Sequence, residues 1–161
     1  MRPIPKINRD MLHRFEGFSA TAKNDEGLPS IGYGHRMPDP DDPLRNATIT
    51  PEQAEVLALA DLAKIGVILE NLLTPQIVAA MSDHQWAAVL DFAFNIGSGH
   101  FAGSTMMALI KSLKFDDVAA QFGRWVYAKD AAGDEVEQPG LVARRSAEAA
   151  LWSGLYHLGA A

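Results

Sequence analysis

The sequence predicts an α+β, mainly helical fold in two lobes, and three observations carry that prediction. Residues 18–36 set Gly27, Pro29, Gly32 and Gly34 among short apolar alternations, the pattern of a small β-hairpin or meander. From Thr50 onward the apolar residues recur at helical spacing, interrupted by repeated helix-start signals. Between these two regions, Thr50-Pro51-Glu52-Gln53 supplies a capping threonine, a proline at the first helical position and a glutamine to close a capping box. The 161 residues therefore read as one domain: a lobe over 12–50 carrying the hairpin, a connecting helix over 51–72, and a helical lobe over 73–161.

The elements follow in order. Met11, Leu12 and Phe15 recur at helical spacing, which predicts a short helix over 8–17 that Gly17 ends. Residues 37–49, with Pro38, Pro40, Asp41, Asp42 and Pro43, form a loop. The run from Thr50 to Leu72 is apolar on most sides (Val56, Leu59, Ile65, Ile68, Leu69) and is expected to cross the interior. Thr74-Pro75 and Ser82-Asp83-His84-Gln85 open two more helices, the second running through Trp86, Val89, Leu90, Phe92 and Phe94 until Gly97 and Gly99 stop it. Further helices fit 103–114, 116–127 and 141–158, and Lys129 to Pro139 reads as a polar loop.

Composition narrows the function. A hydrophobic share of 48% and a charged share of 21% are ordinary for a globular protein. The net charge of −6 argues against nucleic acid as a partner and gives no general attraction to an anionic surface, so recognition must be local. Without cysteine there are no disulfides or thiolate metal sites, and the five histidines lack metal-ligand spacing. Met1-Arg2-Pro3-Ile4-Pro5-Lys6 has no apolar signal core, and no run is long enough to insert in a membrane. A target outside the cytoplasm would require another agent to let the protein out.

The chemistry-bearing residues concentrate between Glu16 and His35. Glu16 sits near the end of a short helix, where the dipole disfavours a negative charge and a desolvated glutamic acid suits proton donation. A second acid and the hydroxyl of Ser30 follow on the hairpin. Carboxyl groups on two elements that face each other across a cleft can protonate a leaving oxygen and activate water, which is what glycosidic hydrolysis requires. Farther along, Asn95 ends a buried helix just before Gly97, and could either contact a ligand or serve as a cap.

Glu16-Gly17, an acid some eight residues on, and Ser30-Ile31-Gly32-Tyr33-Gly34-His35 resemble the signature of the phage-type lysozymes, glycoside hydrolase family 24. The resemblance extends through Phe94-Asn95-Ile96-Gly97 and Arg124-Trp125 to Pro139-Gly140-Leu141-Val142-Ala143-Arg144-Arg145, almost the whole chain. It implies a lysozyme-like fold and an endolysin: a muramidase that hydrolyses the β-1,4 bond between N-acetylmuramic acid and N-acetylglucosamine in peptidoglycan, causing host cell lysis. Glu16 would be the acid and Ser30, in place of the family's threonine, would help to hold water. The family's nine-residue spacing selects Asp25 as the second carboxylate, whereas counting back from Ser30 selects Asn24, and Glu26 is a fallback.

Tyr33 and Asn95 would support or contact the sugar, and His35 would bond a carboxylate or carbonyl behind the cleft. An arginine of the last helix would pair with Glu16, and the matching position is Arg145, with the adjacent Arg144 turned elsewhere. The resemblance further implies inversion at the anomeric carbon, no cofactor or metal, a monomer, and a holin-type pore for release. The protein would wait in the host cytoplasm and act on the wall from the periplasm. Two alternatives stay open: a lytic transglycosylase on the same glycan, and a catalytically dead peptidoglycan-binding protein.

Overall fold

The computed structural model describes residues 2–25, 28–130 and 132–156. Helix α1 (Lys6–Phe15) starts directly after Pro5, about two residues before the position expected from periodicity, so Glu16 is its C-cap and not part of its last turn. Gly17, at φ +65°, then turns the chain out of the helix. Strands β1 (Ser19–Asp25), β2 (Leu28–Gly32) and β3 (His35–Arg36) form an antiparallel sheet in chain order, which is the expected meander. A 3₁₀ turn over Pro43–Asn46 sits within the expected loop, capped by the Asp42 side chain.

The capping box at Thr50 forms as the sequence indicates, and α2 (Pro51–Leu72) runs from it. Its buried face differs from the expected one. Ala54, Ala58, Leu62, Gly66 and Leu69 point inward, whereas Val56 is 68% exposed and Ile68 also faces solvent. Small residues occupy the inner face because other elements press close: a Cβ on Gly32 would lie 2.8 Å from the Ala54 Cβ. Helix α2 joins two apolar clusters. Ala54, Ala58 and Leu62 pack with Leu12, Ile31, Tyr33, Met37 and Ile49 beside the sheet, and Leu69 packs with Trp86, Leu90, Phe92, Phe101 and Phe122 among the helices.

Helices α3 (Pro75–Ala80) and α4 (Asp83–Ile96) start at Thr74 and Ser82 as expected, α4 with a second complete capping box. Such a cap is worth about 1 kcal/mol. Gly97, at φ +87°, ends α4, but Gly99 lies inside a further short helix, α5 (Ser98–Ala102). Helix α6 (Thr105–Lys111) is shorter than expected. The segment 116–127 divides into a 3₁₀ turn at Phe115–Asp117 and the short α7 (Ala119–Phe122).

The expected loop from Lys129 to Pro139 contains a second hairpin, of β4 (Tyr127–Lys129) and β5 (Glu135–Glu137). Asp130 folds its tip by accepting the N–H groups of Ala132 at 2.8 Å and Asp134 at 3.0 Å, with Gly133 at φ +89°. Strands of three residues are too short for a periodicity to be read from them. Helix α8 (Pro139–Trp152) follows and packs on α4 and α7. Among the described residues, no helix is long and apolar enough to cross a membrane.

Candidate active site

A cleft opens between the two clusters, lined by Glu16, Gly34, Arg36, Asp61, Lys64, Ile65, Phe94 and Asn95. Glu16 reaches it from the end of α1, where its own N–H bonds the Leu12 carbonyl at 2.9 Å. The turn between β2 and β3 lines the cleft beside Glu16. Gly34 there has φ +84°, and a Cβ at this position would stand 3.1 Å from Glu16 Oε2. The Gly-Tyr-Gly turn therefore lets the backbone close on the glutamate, while Gly32 makes room for α2.

The arginine that meets Glu16 is Arg144. Its Nη1 donates to Glu16 Oε1 at 2.5 Å, and its Nε and Nη2 hold both oxygens of Asp91 at 3.0 and 3.2 Å. The expected partner, Arg145, turns the other way. Its Nη1 donates to Glu148 at 2.6 and 2.7 Å, its Nε bonds the Trp125 carbonyl at 3.2 Å, its Nη2 bonds the Asn95 side-chain oxygen, and its guanidinium stacks on Phe92. Adjacent helical residues diverge by about 100°, so one faces the end of α1 and the other faces the far end of α4. Both are buried, at 3% and 1% exposure, and neither is turned to solvent.

Asp91 and Glu148 are fully buried between the two arginines. Burial pushes the Glu148 carboxyl well above the usual range; nearby Asp91 adds to the rise, and Arg145 and Arg144 pull against it. Burial likewise works against the Arg144 charge, but Asp91, Glu16 and Glu148 outweigh it and raise its pKa. By contrast, the Glu16 side chain is 21% exposed and open to the cleft.

The remaining sequence candidates divide. His35 Nδ1 lies 2.6 Å from Asp61 Oδ2, so it does bond a carboxylate beside the cleft. Tyr33 is buried in the smaller cluster, stacked on His13 at 4.3 Å and tilted against Phe18, which makes it a support for the turn. Asn95 lines the cleft while its oxygen is taken by Arg145. Ser30 is half-buried on β2, between Lys23 on β1 and the cleft-lining Arg36 on β3. Asn24 pairs with Pro29, and Asp25 closes β1 opposite Leu28; Glu26 and the side chain of Asp25 lie outside the described residues.

Sequence reasoning missed Asp61, whose only signal is an isolated acid in an otherwise apolar stretch of α2. It also missed that Asp91 anchors Arg144. Among the described residues, no group of three histidines or acids could hold a metal ion.

Glu16, held by the buried Arg144, thus lies on a cleft between a small sheet and a helical body. The comparisons with known proteins identify the family. The model of the family described as phage lysozyme matches residues 13–148. The endolysin of Acyrthosiphon pisum secondary endosymbiont phage 1 is 32% identical over 143 residues, covering 88% of this chain and 92% of that protein. The endolysin of Salmonella phage P22 is 30% identical over 123 residues, covering 76% and 79%. Among solved structures, the muramidase domain of SpmX from Asticaccaulis excentricus superposes with a TM-score of 0.80 at 27% identity, covering 94% of this chain and 98% of that one. The chain belongs to the phage lysozyme family and is a glycoside hydrolase of the muramidase type.

Proposed function

We propose that the protein is an endolysin that cleaves the β-1,4 bond between N-acetylmuramic acid and N-acetylglucosamine, with Glu16 as the general acid. One observation carries this reading: Glu16 is fixed between Arg144 and the Gly34 turn, yet its carboxyl stays open to the cleft. Protonated Glu16 donates to the glycosidic oxygen as the bond to the anomeric carbon breaks. Asp25, with Ser30, directs a water to the opposite face of the sugar, and the product has inverted configuration. Inversion needs the two carboxyl groups ~6.5–9.5 Å apart, and acids on separate elements suit that gap. Asn95 offers its amide N–H to an acetamido group or hydroxyl while Arg145 holds its oxygen.

The protein works as a monomer, is held in the host cytoplasm until a holin-type pore opens, and then acts on the wall. Purified protein should clear chloroform-treated Gram-negative cells. Glu16→Gln should fold and lose at least ~10²–10⁴-fold of that activity, and a variant keeping more than a tenth of the rate would overturn the assignment. Product mass separates hydrolysis, which adds one water, from a transglycosylase, which leaves an anhydro sugar.

A further inference from the structure

One face of the sheet carries a basic residue on each side of Ser30. Strand register sets Lys23 on β1 opposite Ser30 on β2, and Ser30 opposite Arg36 on β3. Directly opposed residues of an antiparallel sheet project from the same face, so the two cations flank the serine in one row. Successive residues alternate between faces. Ile31, next to Ser30, is 1% exposed and packs in the smaller apolar cluster, which leaves the Lys23–Ser30–Arg36 row on the other face. Arg36 shows where that face looks, because it lines the cleft.

This local charge is opposite to that of the whole chain, which is −6. Both side chains are exposed, and among the described residues neither Lys23 nor Arg36 has an ion pair or a side-chain hydrogen bond. The carboxylates across the cleft are engaged elsewhere: Glu16 by Arg144, and Asp61 by His35 and Lys64. The two Cα positions stand two strand spacings apart, about 10 Å, a gap that two long side chains can close onto one extended anion.

We propose that Lys23 and Arg36 form a subsite for the carboxylates of the stem peptide borne by N-acetylmuramic acid. This deepens the muramidase reading and rests on it. Cleavage after N-acetylmuramic acid places the anomeric carbon of the peptide-bearing sugar beside Ser30, where water is held. The lactyl ether that carries the peptide leaves the same ring two carbons away, at C3, so the stem emerges next to the neighbours of Ser30. There the Arg36 guanidinium can take a carboxylate through two N–H groups, and the Lys23 ammonium supplies a mobile point charge. The acidic chain as a whole repels an anionic wall, and this row gives it a local point of attraction.

Two measurements on the full chain test the subsite. In the first, a muramoyl tetrapeptide, a single sugar with no glycosidic bond to cut, is titrated into the protein and followed by NMR. Lys23→Gln and Arg36→Gln should each weaken binding about two- to fivefold, the scale of one exposed ion pair. The same ligand with its carboxyl groups amidated should bind wild type as weakly as it binds the double variant. Absent binding, or binding that amidation leaves unchanged, overturns the subsite whatever Glu16 does. The second measurement compares kcat/KM on peptide-bearing wall with kcat/KM on glycan stripped of its peptides. The double variant should lower that ratio about 4–25-fold, the product of the two single effects. A ratio equal to that of wild type refutes the proposal, since any loss of rate would then come from the sheet or the reacting groups and not from the peptide. If wild type cuts neither glycan, the muramidase reading fails, and the titration still decides whether the two cations bind the stem.

Discussion

Gly32 and Gly34 flank the same tyrosine, and replacing each with alanine should break different things. Both have positive φ, at +67° and +84°, so each Cβ costs about 1–2 kcal/mol in backbone strain. At Gly32 the new methyl would also lie 2.8 Å from the Ala54 Cβ and 3.2 Å from its Cα, against a long helix that cannot yield locally. Overpacking of that kind adds about 1–3 kcal/mol, so Gly32→Ala should lose roughly 2–5 kcal/mol in all. At Gly34 the methyl meets a side chain instead, 3.1 Å from Glu16 Oε2 and 3.3 Å from its Cδ. That carboxyl can retreat by a few tenths of an ångström, but only by pulling against Arg144. Gly34→Ala should therefore lose little beyond the backbone strain, while kcat falls roughly 10–100-fold, since a 1 Å misplacement costs about 10²-fold. Urea denaturation gives the stabilities, and turbidity clearing per folded molecule gives the rates. Equal splits between stability and rate for the two variants would refute the reasoning, as would a folded Gly34→Ala of wild-type activity.

Arg144→Lys should lose both stability and activity, because an ammonium cannot hold both oxygens of Asp91 and still reach Glu16; leaving a buried charge under-paired costs about 3–5 kcal/mol, measurable by denaturation. Glu148 makes stability depend on pH with a definite sign. Its native carboxyl keeps a proton above the unfolded value of 4.5, so the native state binds more protons in that window and stability falls as pH rises through it, by at most about 1.4 kcal/mol per unit. Glu148→Gln removes that slope, so its Tm should gain on wild type from pH 4.5 to 7; parallel curves would contradict the raised value. Among Asn24→Ala, Asp25→Ala and Glu26→Ala, only the Asp25 change should abolish lysis, and a nearly wild-type Asp25→Ala would end its assignment.

The fold was legible wherever the signal is local. Thr50 and Ser82 announce their helices because a capping box uses four neighbouring residues, and both boxes form. The hairpin was legible from Gly32 and Gly34, but the reason for each glycine was not, since Gly32 answers to Ala54 on α2 and Gly34 to Glu16 at the C-cap of α1. The same distinction separates Arg144 from Arg145. Adjacent residues on a helix must diverge, which the sequence shows; which of them faces Glu16 depends on the rotation of α8 against α4, which no local pattern encodes. Asp91 and Asn95, four residues apart on one face of α4, receive Arg144 and Arg145 respectively, so the register between two distant helices decides the pairing. Val56 misled for a related reason: an apolar residue on a long helix reads as core until its neighbours are known.

The two halves of the proposed chemistry are carried by different parts of the molecule. Glu16 belongs with the helices: Arg144 grips its carboxyl, and α1 is itself tied to α4 by the fully buried Asn8, whose Nδ2 donates to the Ala87 carbonyl at 2.8 Å. Asp25 and Ser30 belong with the sheet, whose seat on the rest of the protein is the contact of Gly32 with Ala54 and the cluster around Leu62. The small residues on the inner face of α2 therefore do more than fill space. They determine how closely the sheet approaches α1, and with it the gap in which a sugar and a water must both fit. A larger residue at Ala54 would push the sheet away from Glu16 without touching any group that meets substrate. On the proposed assignment of Asp25, the separation of the two acids, on which the stereochemistry of hydrolysis depends, would in this way follow from helix packing.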